Sequence, residues 1–394
     1  MAGPATDIAE VEARAIHDRL RTIDTHIDTG PGFATAALDP GVMTRAQVDL
    51  PGMRAGGLDA GFFIVYTAQG ALDAAGYAAA RQAAEEKYRG IERMVRAYPQ
   101  QIALARTARQ VDEIAAGGRL VAVIGMENAY PLAESVADVP MWAARGVRYV
   151  SITHFGHNQF GGSSDPAAAR GDTAEDPGLT DLGRQLVPAL NDAGIMVDIS
   201  HVGRRTAMEA MALSRAPIIA SHSGARAVHD HPRNLDDAQL RAIASGGGVA
   251  QMVAFRSYVG PVDPAAAKAV AELRSSLGLA APGAFQAASP ATLDEFARQR
   301  SRIRAECPDV TLSQFADHID HAVRVAGVDH VGLSGDFDGG GGVRGWDSAA
   351  ESFNVTFELL KRGYSEADLA KLWGDNILRV MRVAEALQAA GRRS

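Results

Sequence analysis

Residues 120–127 read Leu-Val-Ala-Val-Ile-Gly-Met-Glu, an apolar run that stops on a carboxylate. Runs of the same kind lie at 21–26 (RTIDTH), 57–65 (GLDAGFFIV), 147–153 (VRYVSIT), 195–200 (IMVDIS), 217–221 (PIIAS), 248–255 (GVAQMVAF) and 329–335 (DHVGLSG). Helical spacing fills most of the intervals between these eight candidate strands, as at 73–98, 183–193 and 204–214. Alternation of strand and helix predicts a parallel sheet with helical crossovers. Eight such units predict a closed (β/α)8 barrel, an α/β fold of the TIM type. A doubly wound open sheet is the alternative, since one strand more or fewer changes the closure.

Two segments depart from the alternation. Residues 256–328 form a mostly helical insertion between the seventh and eighth strands, with helix starts at Ser289-Pro290 and at the capping box Thr311-Leu312-Ser313-Gln314. It would serve as an added lobe or as a lid. The glycine run Gly339-Gly340-Gly341-Gly342 follows the last strand and cannot hold a fixed shape unaided. The segment 365–390 reads as one capped amphipathic helix, the last of the barrel.

The composition fits one large barrel domain over 1–394: 47% hydrophobic and 22% charged residues are globular proportions. With 39 Lys and Arg against 47 Asp and Glu, the net charge of −8 argues against nucleic acid or an anionic membrane surface as partner. A single cysteine, Cys307, excludes an intrachain disulfide framework and a zinc site built from several thiolates. The N-terminal stretch never makes an apolar run, so a cytoplasmic protein with no membrane span is expected.

Six of the eight strands end in, or run into, a histidine or a carboxylate: His26 and Asp28, Glu127, His154, His201, His222 and Asp336. Taken singly, each has a plain structural reading, such as a loop histidine or a carboxylate capping the next helix. The shared position is what distinguishes them. In a (β/α)8 barrel the C-terminal strand ends open onto one mouth, so these residues converge on one pocket. Burying that many imidazoles and carboxylates together is costly without a cation, which points to a metal centre. Other candidates fall away. His318 and His321 sit among Asp317 and Asp320 on what reads as a solvated helix face, and His229 and His231 read as surface residues. The stretch Asp336-Phe337-Asp338-Gly339 follows a strand and lacks the rest of a calcium loop. No Gly-Lys-Ser/Thr follows the glycine run, and no Gly-x-Ser-x-Gly elbow occurs.

Several motifs stand in a recognisable order: Asp24-Thr25-His26-Ile27-Asp28, Gly125-Met126-Glu127-Asn128, Arg148 to His154 (RYVSITH), Asp198-Ile199-Ser200-His201-Val202, Arg215 to Ser223 (RAPIIASHS), Arg233-Asn234-Leu235, and Val331 to Gly339 (VGLSGDFDG). With them the chain resembles the membrane (renal) dipeptidase family, a branch of the amidohydrolase-like metal-dependent barrels, from about residue 20 to the stretch Asp375-Asn376-Ile377-Leu378-Arg379-Val380. The resemblance implies a zinc-dependent dipeptidase with two Zn2+ per chain. His26 and Asp28 would hold one ion, His201 and His222 the other, and Glu127 would bridge both. It further implies that His154 sits beside the substrate carbonyl, that Arg233 meets the substrate carboxylate, and that Asp336 handles protons. A small dipeptide substrate, a tolerated C-terminal D-residue and a homodimer belong to the same expectation. The cysteines of secreted relatives and a C-terminal lipid-anchor signal are missing, so membrane attachment is not expected. Another amidohydrolase acting on a small amide or lactone is the nearest alternative. A catalytically silent barrel used for binding is the more distant one.

Overall fold

Short apolar runs, buried on both faces, are satisfied between two helix layers or between a barrel interior and one layer of helices. All eight runs take the latter place in the computed structural model, which describes residues 8–30, 32–280, 284, 288–307 and 309–391. The strands are β1 (Ile23–Ile27), β2 (Ala60–Tyr66), β3 (Ile102–Leu104), β4 (Leu120–Glu127), β5 (Val147–Ser151), β6 (Met196–Asp198), β7 (Ile219–Ser223), β8 (Val249–Val253) and β9 (Val331–Ser334). Their order is β1-β2-β4-β5-β6-β7-β8-β9, every pair parallel, and β3 lies beside the first half of β4. β3 is the one strand the sequence reading missed, because three residues carry too little pattern to separate from a loop.

The two ends of this order meet. Asp28 N–H donates to the Phe337 carbonyl at 2.8 Å, and Ile27 bridges Phe337 in parallel register. Asp24, fully buried on β1, accepts from Gly335 N at 3.0 Å, from its neighbour His26 N at 3.0 Å and from Ser334 Oγ at 3.5 Å. One carboxylate thus ties the first strand to the last and nearly closes the barrel.

Inside, Ile23, Val121, Val123, Tyr149, Met196, Ile219 and Val249 form one apolar cluster that also takes in Ile377, Leu378 and Met381 of the C-terminal helix Asn376–Gly391. The expected single helix over 365–390 is interrupted by a π-helical turn at Lys371–Asp375. Between β8 and β9 the chain forms the helices Arg256–Val259, Pro264–Ser276, Pro290–Glu306 and Leu312–Ala326. The last of these buries Phe315, Ala316, Ile319 and Ala322 in the main core and is the ordinary crossover helix of the barrel. The helices Pro264–Ser276 and Pro290–Glu306 instead share a small cluster of their own, built on Leu273, Leu279 and Phe296. The glycine run is held by its surroundings: Gly341 N–H donates to the Asp336 carbonyl at 2.8 Å and Gly342 N–H to the Gly335 carbonyl at 3.1 Å. No described helix is long and apolar enough to cross a membrane.

If Asp24 is the clasp of the barrel, Asp24→Ala strands at least two buried N–H groups, those of His26 and Gly335. Each costs about 1–3 kcal/mol, so a loss of roughly 2–6 kcal/mol is expected. Urea denaturation followed by circular dichroism checks it, and an unchanged midpoint would remove the clasp.

Candidate metal centre and its cavity

The strand ends deliver their ionisable side chains to one small volume. The ligand atoms of His26, Glu127 and His222 lie within 4.8 Å of one another, as do those of Glu127, His154 and His201, and those of His26, Asp28 and Asp336. Glu127 is the shared member. Its Oε2 faces His26 Nε2 at 3.6 Å, and His26 Nε2 in turn faces Asp28 Oδ2 at 3.5 Å. Its Oε1 faces His201 Nε2 at 3.0 Å, His222 Nε2 at 3.3 Å and His154 Nε2 at 3.9 Å. The two nitrogens His201 Nε2 and His222 Nε2 are 2.9 Å apart.

The outer hydrogen bonds decide which ring nitrogen carries a proton. Tyr149 donates its hydroxyl hydrogen to the Thr25 carbonyl at 3.0 Å, so it accepts from His26 Nδ1–H at 2.9 Å. Ser221 donates to Asp198 Oδ2 at 2.6 Å, so it accepts from His222 Nδ1–H at 2.8 Å. In both histidines the Nε2 lone pair is thereby turned toward Glu127, the tautomer a metal ligand needs. The room for Tyr149 comes from Gly125 on β4, where a Cβ would lie 2.4 Å from the ring. Gly339 works the same way beneath the centre: a Cβ there would lie 2.2 Å from Asp336 Oδ1 and 2.3 Å from Asp28 Oδ2.

The protonation states follow from burial and neighbours. Burial, with Arg233 and His154 nearby, holds the His201 imidazole well below its usual range, and burial with the charge of His26 does the same for His222. Burial alone would raise the Glu127 carboxyl. The charges of His154 and His26 outweigh it and hold the group well below the carboxylate range. Burial likewise disfavours a charged His26, but Glu127 and Asp28 lift it well above an ordinary histidine. Asp336 is pushed well above the usual carboxylate range by burial, reinforced by Asp28 and Glu127. Neutral His201 and His222 beside an ionised Glu127, and a His26 that two carboxylates favour in the positive form, are nitrogen and oxygen donors only, and they fit a divalent cation that would take the place of the His26 proton.

A cavity of about 490 Å3 opens over these residues. Asp28, Glu127, His154, His201, His222 and Asp336 all line it. Arg233 does not. It is 2% exposed, its NH2 donates to the His222 carbonyl at 2.9 Å, and its guanidinium lies 5.1 Å from the Tyr258 ring, which forms the wall in front of it. Its Nε is buried without a hydrogen-bond partner. The sequence reading passed over the wall residues Tyr66 and Tyr258, on or just beyond the two strands that end in no ionisable group. It also passed over Lys87, and Arg274, Phe296 and Arg300 from the insertion. Tyr66, as the last residue of β2, carried a usable signal; the others did not. His318, read as solvated, is fully buried: it accepts from Ala225 N at 2.9 Å and donates to the Val259 carbonyl at 3.0 Å. A larger recess of about 610 Å3 beside Arg106, Arg148 and Asp192 holds none of the strand-end residues.

Comparison with known proteins gives a consistent result. A family model described as membrane dipeptidase, peptidase family M19, matches residues 10–394. Dipeptidase verJ of Clonostachys rogersoniana is 30% identical over 292 residues, 74% of this chain and 62% of that protein. Dipeptidase aclJ of Aspergillus oryzae is 28% identical over 341 residues, 85% of this chain and 69% of that protein. The chain therefore spans less than two-thirds of the length of the Clonostachys relative. Among solved structures, the probable dipeptidase PvdM from Pseudomonas aeruginosa superposes with a TM-score of 0.83 at 34% identity, covering 96% of this chain and 98% of that one. A metallo peptidase from Rhodobacter sphaeroides, liganded with a phosphinate mimic of L-Ala-D-Ala, has the same fold, with a TM-score of 0.71 at 24% identity over 93% of this chain and 99% of that one.

The orienting bond from Tyr149 gives a direct test of the metal centre. Tyr149→Phe keeps the ring but leaves His26 Nδ1–H without its acceptor, and should weaken divalent-metal retention by about 10- to 100-fold with the fold intact. Competition against a metal chelator, with circular dichroism as control, measures it. Undiminished retention would take His26 out of the ligand set.

Proposed function

The chain belongs to the membrane dipeptidase family, and from that premise we propose that it is a zinc-dependent hydrolase of dipeptides, those with a C-terminal D-residue included. The observation that carries this reading is the division of Glu127: one oxygen faces His26 and the other faces His201 and His222, inside a cavity that also holds Asp336. Two ions are the occupancy such a division supports, one with His26 and Asp28, one with His201 and His222, and Glu127 shared between them. Bound there, zinc supplies Lewis acidity toward a peptide carbonyl and makes water a nucleophile near neutral pH.

The remaining steps belong to side chains. Asp336, with a carboxyl raised by burial and by two neighbouring carboxylates, can take a proton from water and return it to the leaving amine. His154 is held below its usual range by burial and is neutral at pH 7, so its ring N–H can support the carbonyl oxygen as negative charge develops there. We assign recognition of the free C-terminal carboxylate to the wall formed by Tyr258 with Arg233 behind it. The buried Arg233 Nε without a hydrogen-bond partner, with its guanidinium against the Tyr258 ring, supports this assignment. A carboxylate held that close to the metals leaves room for one residue beyond the scissile bond.

Two measurements test the reading. Elemental analysis should find about two zinc ions per chain, and Glu127→Gln should lose both, because a neutral oxygen replaces a charge shared by two cations. Full retention in that variant would end the bridging assignment. In kinetics, free dipeptides should be cleaved while their C-terminal amides and tripeptides are not. Arg233→Met should lower kcat/KM for the free dipeptide by roughly 10- to 100-fold, the worth of a charged hydrogen bond of about 1.5–3 kcal/mol. Equal rates for acid and amide in the wild type would favour a broader amidohydrolase.

A further inference from the structure

The insertion between β8 and β9 places a positive charge on the wall of the catalytic cavity and, among the described residues, pairs it with no carboxylate. Arg300, on the helix Pro290–Glu306, lines the cavity together with Phe296 from the same helix and Arg274 from Pro264–Ser276. Its Nε is buried without a hydrogen-bond partner. Its guanidinium carbon lies 5.5 Å from the Phe296 ring, and Arg274 lies 5.8 Å from the same ring. The acids that could neutralise Arg300 are engaged elsewhere. Asp347 is held by Arg256 at 2.9 Å and faces Arg304 at 3.6 Å, and Asp309 is held by Arg256 at 3.0 Å. Asp338 accepts from Gln47 N at 3.0 Å and Val48 N at 3.3 Å and forms no ion pair with Arg300 among the described residues. Burial lowers the Arg300 pKa; Asp347 and Asp338 pull it back up from a distance, Arg256 and Arg274 add repulsion, and the net direction stays downward.

Position then selects what this charge can meet. Arg233 stands behind the end of β7, bonded to the His222 carbonyl. Arg300 stands over the loops that follow β1 and β9, in a recess it shares with Gly30 and Asp338. Tyr258 sits on the short helix that opens the insertion and Arg300 on its helix Pro290–Glu306, both lining one cavity, so a dipeptide whose C-terminal carboxylate lies at the Tyr258 wall can extend its amino-terminal residue toward Arg300. A guanidinium backed by an aromatic ring is suited to a planar carboxylate, which it can bind with two parallel hydrogen bonds.

We infer that Arg300 reads the side chain of the amino-terminal residue and that the preferred substrates are dipeptides beginning with glutamate or aspartate. The inference rests on the dipeptidase reading above and adds the substrate class to it.

The experiment uses the full zinc-loaded chain and four substrates: Glu-Ala, Gln-Ala, Ala-Glu and Lys-Ala. In the wild type, kcat/KM for Glu-Ala should exceed that for Gln-Ala by roughly 10- to 100-fold, mostly through KM, and Ala-Glu should gain no such advantage. In Arg300→Met the ratio of Glu-Ala to Gln-Ala should fall to about one, and in Arg300→Glu the order of Glu-Ala and Lys-Ala should invert. The substrate comparison in the wild type needs no variant to fold. Equal cleavage of Glu-Ala and Gln-Ala, an advantage confined to Ala-Glu, or a ratio that survives Arg300→Met each overturns the assignment of Arg300 while leaving the dipeptidase intact. Cleavage of none of the four overturns both together.

Discussion

Glu127 offers its two oxygens to histidines from the ends of four other strands, and this demand governs how the barrel mouth is built. A buried carboxylate among four imidazoles is stable only if each ring presents the correct nitrogen, so the constraint passes outward to Tyr149 and Thr25 behind His26 and to Ser221 and Asp198 behind His222. It reaches the backbone as well. Asn128, His201, Asp336 and Asp338 all adopt positive φ, between 50° and 73°, which non-glycine residues avoid at a cost of about 1–3 kcal/mol each. The surroundings hold them there. The His201 carbonyl accepts from Ser164 N, Thr153 Oγ1 and Ser163 Oγ, and the Asn128 side chain is bonded to Thr67, Tyr130 and Asn158.

What was legible in the sequence follows the same logic. Strand ends were legible because an apolar run stopping at His26, Glu127, His222 or Asp336 is a local pattern, and the barrel turns that pattern into proximity. Arg233 shows the limit. A long side chain near a predicted mouth can point in or lie behind the wall, and a hydrogen bond to the His222 carbonyl, invisible in sequence, settles its position. His318 was misjudged because Asp317 and Asp320 beside it turn to Arg362 at the end of another helix while its own ring faces Ala225 and Val259. Tyr66 and Tyr258 carry no charge at neutral pH and so escaped a search for ionisable residues.

The insertion shows a different division. Its helix starts were readable from Ser289 and Thr311, both of which cap as expected. Its function was not readable, for two reasons. The crossover helix Leu312–Ala326 looks like part of the insertion in sequence but belongs to the barrel core. The faces of the other two helices are set by the small cluster of Leu273, Leu279 and Phe296, whose amphipathic signal is weak. That cluster is separate from the main core, so the chemistry of the strand ends and the charge above them are supported by different packing.

The seam at Asp24 also bears on how the molecule is made. Its partner Gly335 lies 311 residues further along the chain, a loop closure among the longest available to a polypeptide of this size. During synthesis every candidate metal ligand, from His26 to His222, has emerged more than a hundred residues before β9 can close the sheet. Until then the growing chain is an open parallel sheet with two unpaired edges, at β1 and β8, the kind of surface on which nascent chains associate. The architecture thus makes its last strand the step that ends its exposure to aggregation.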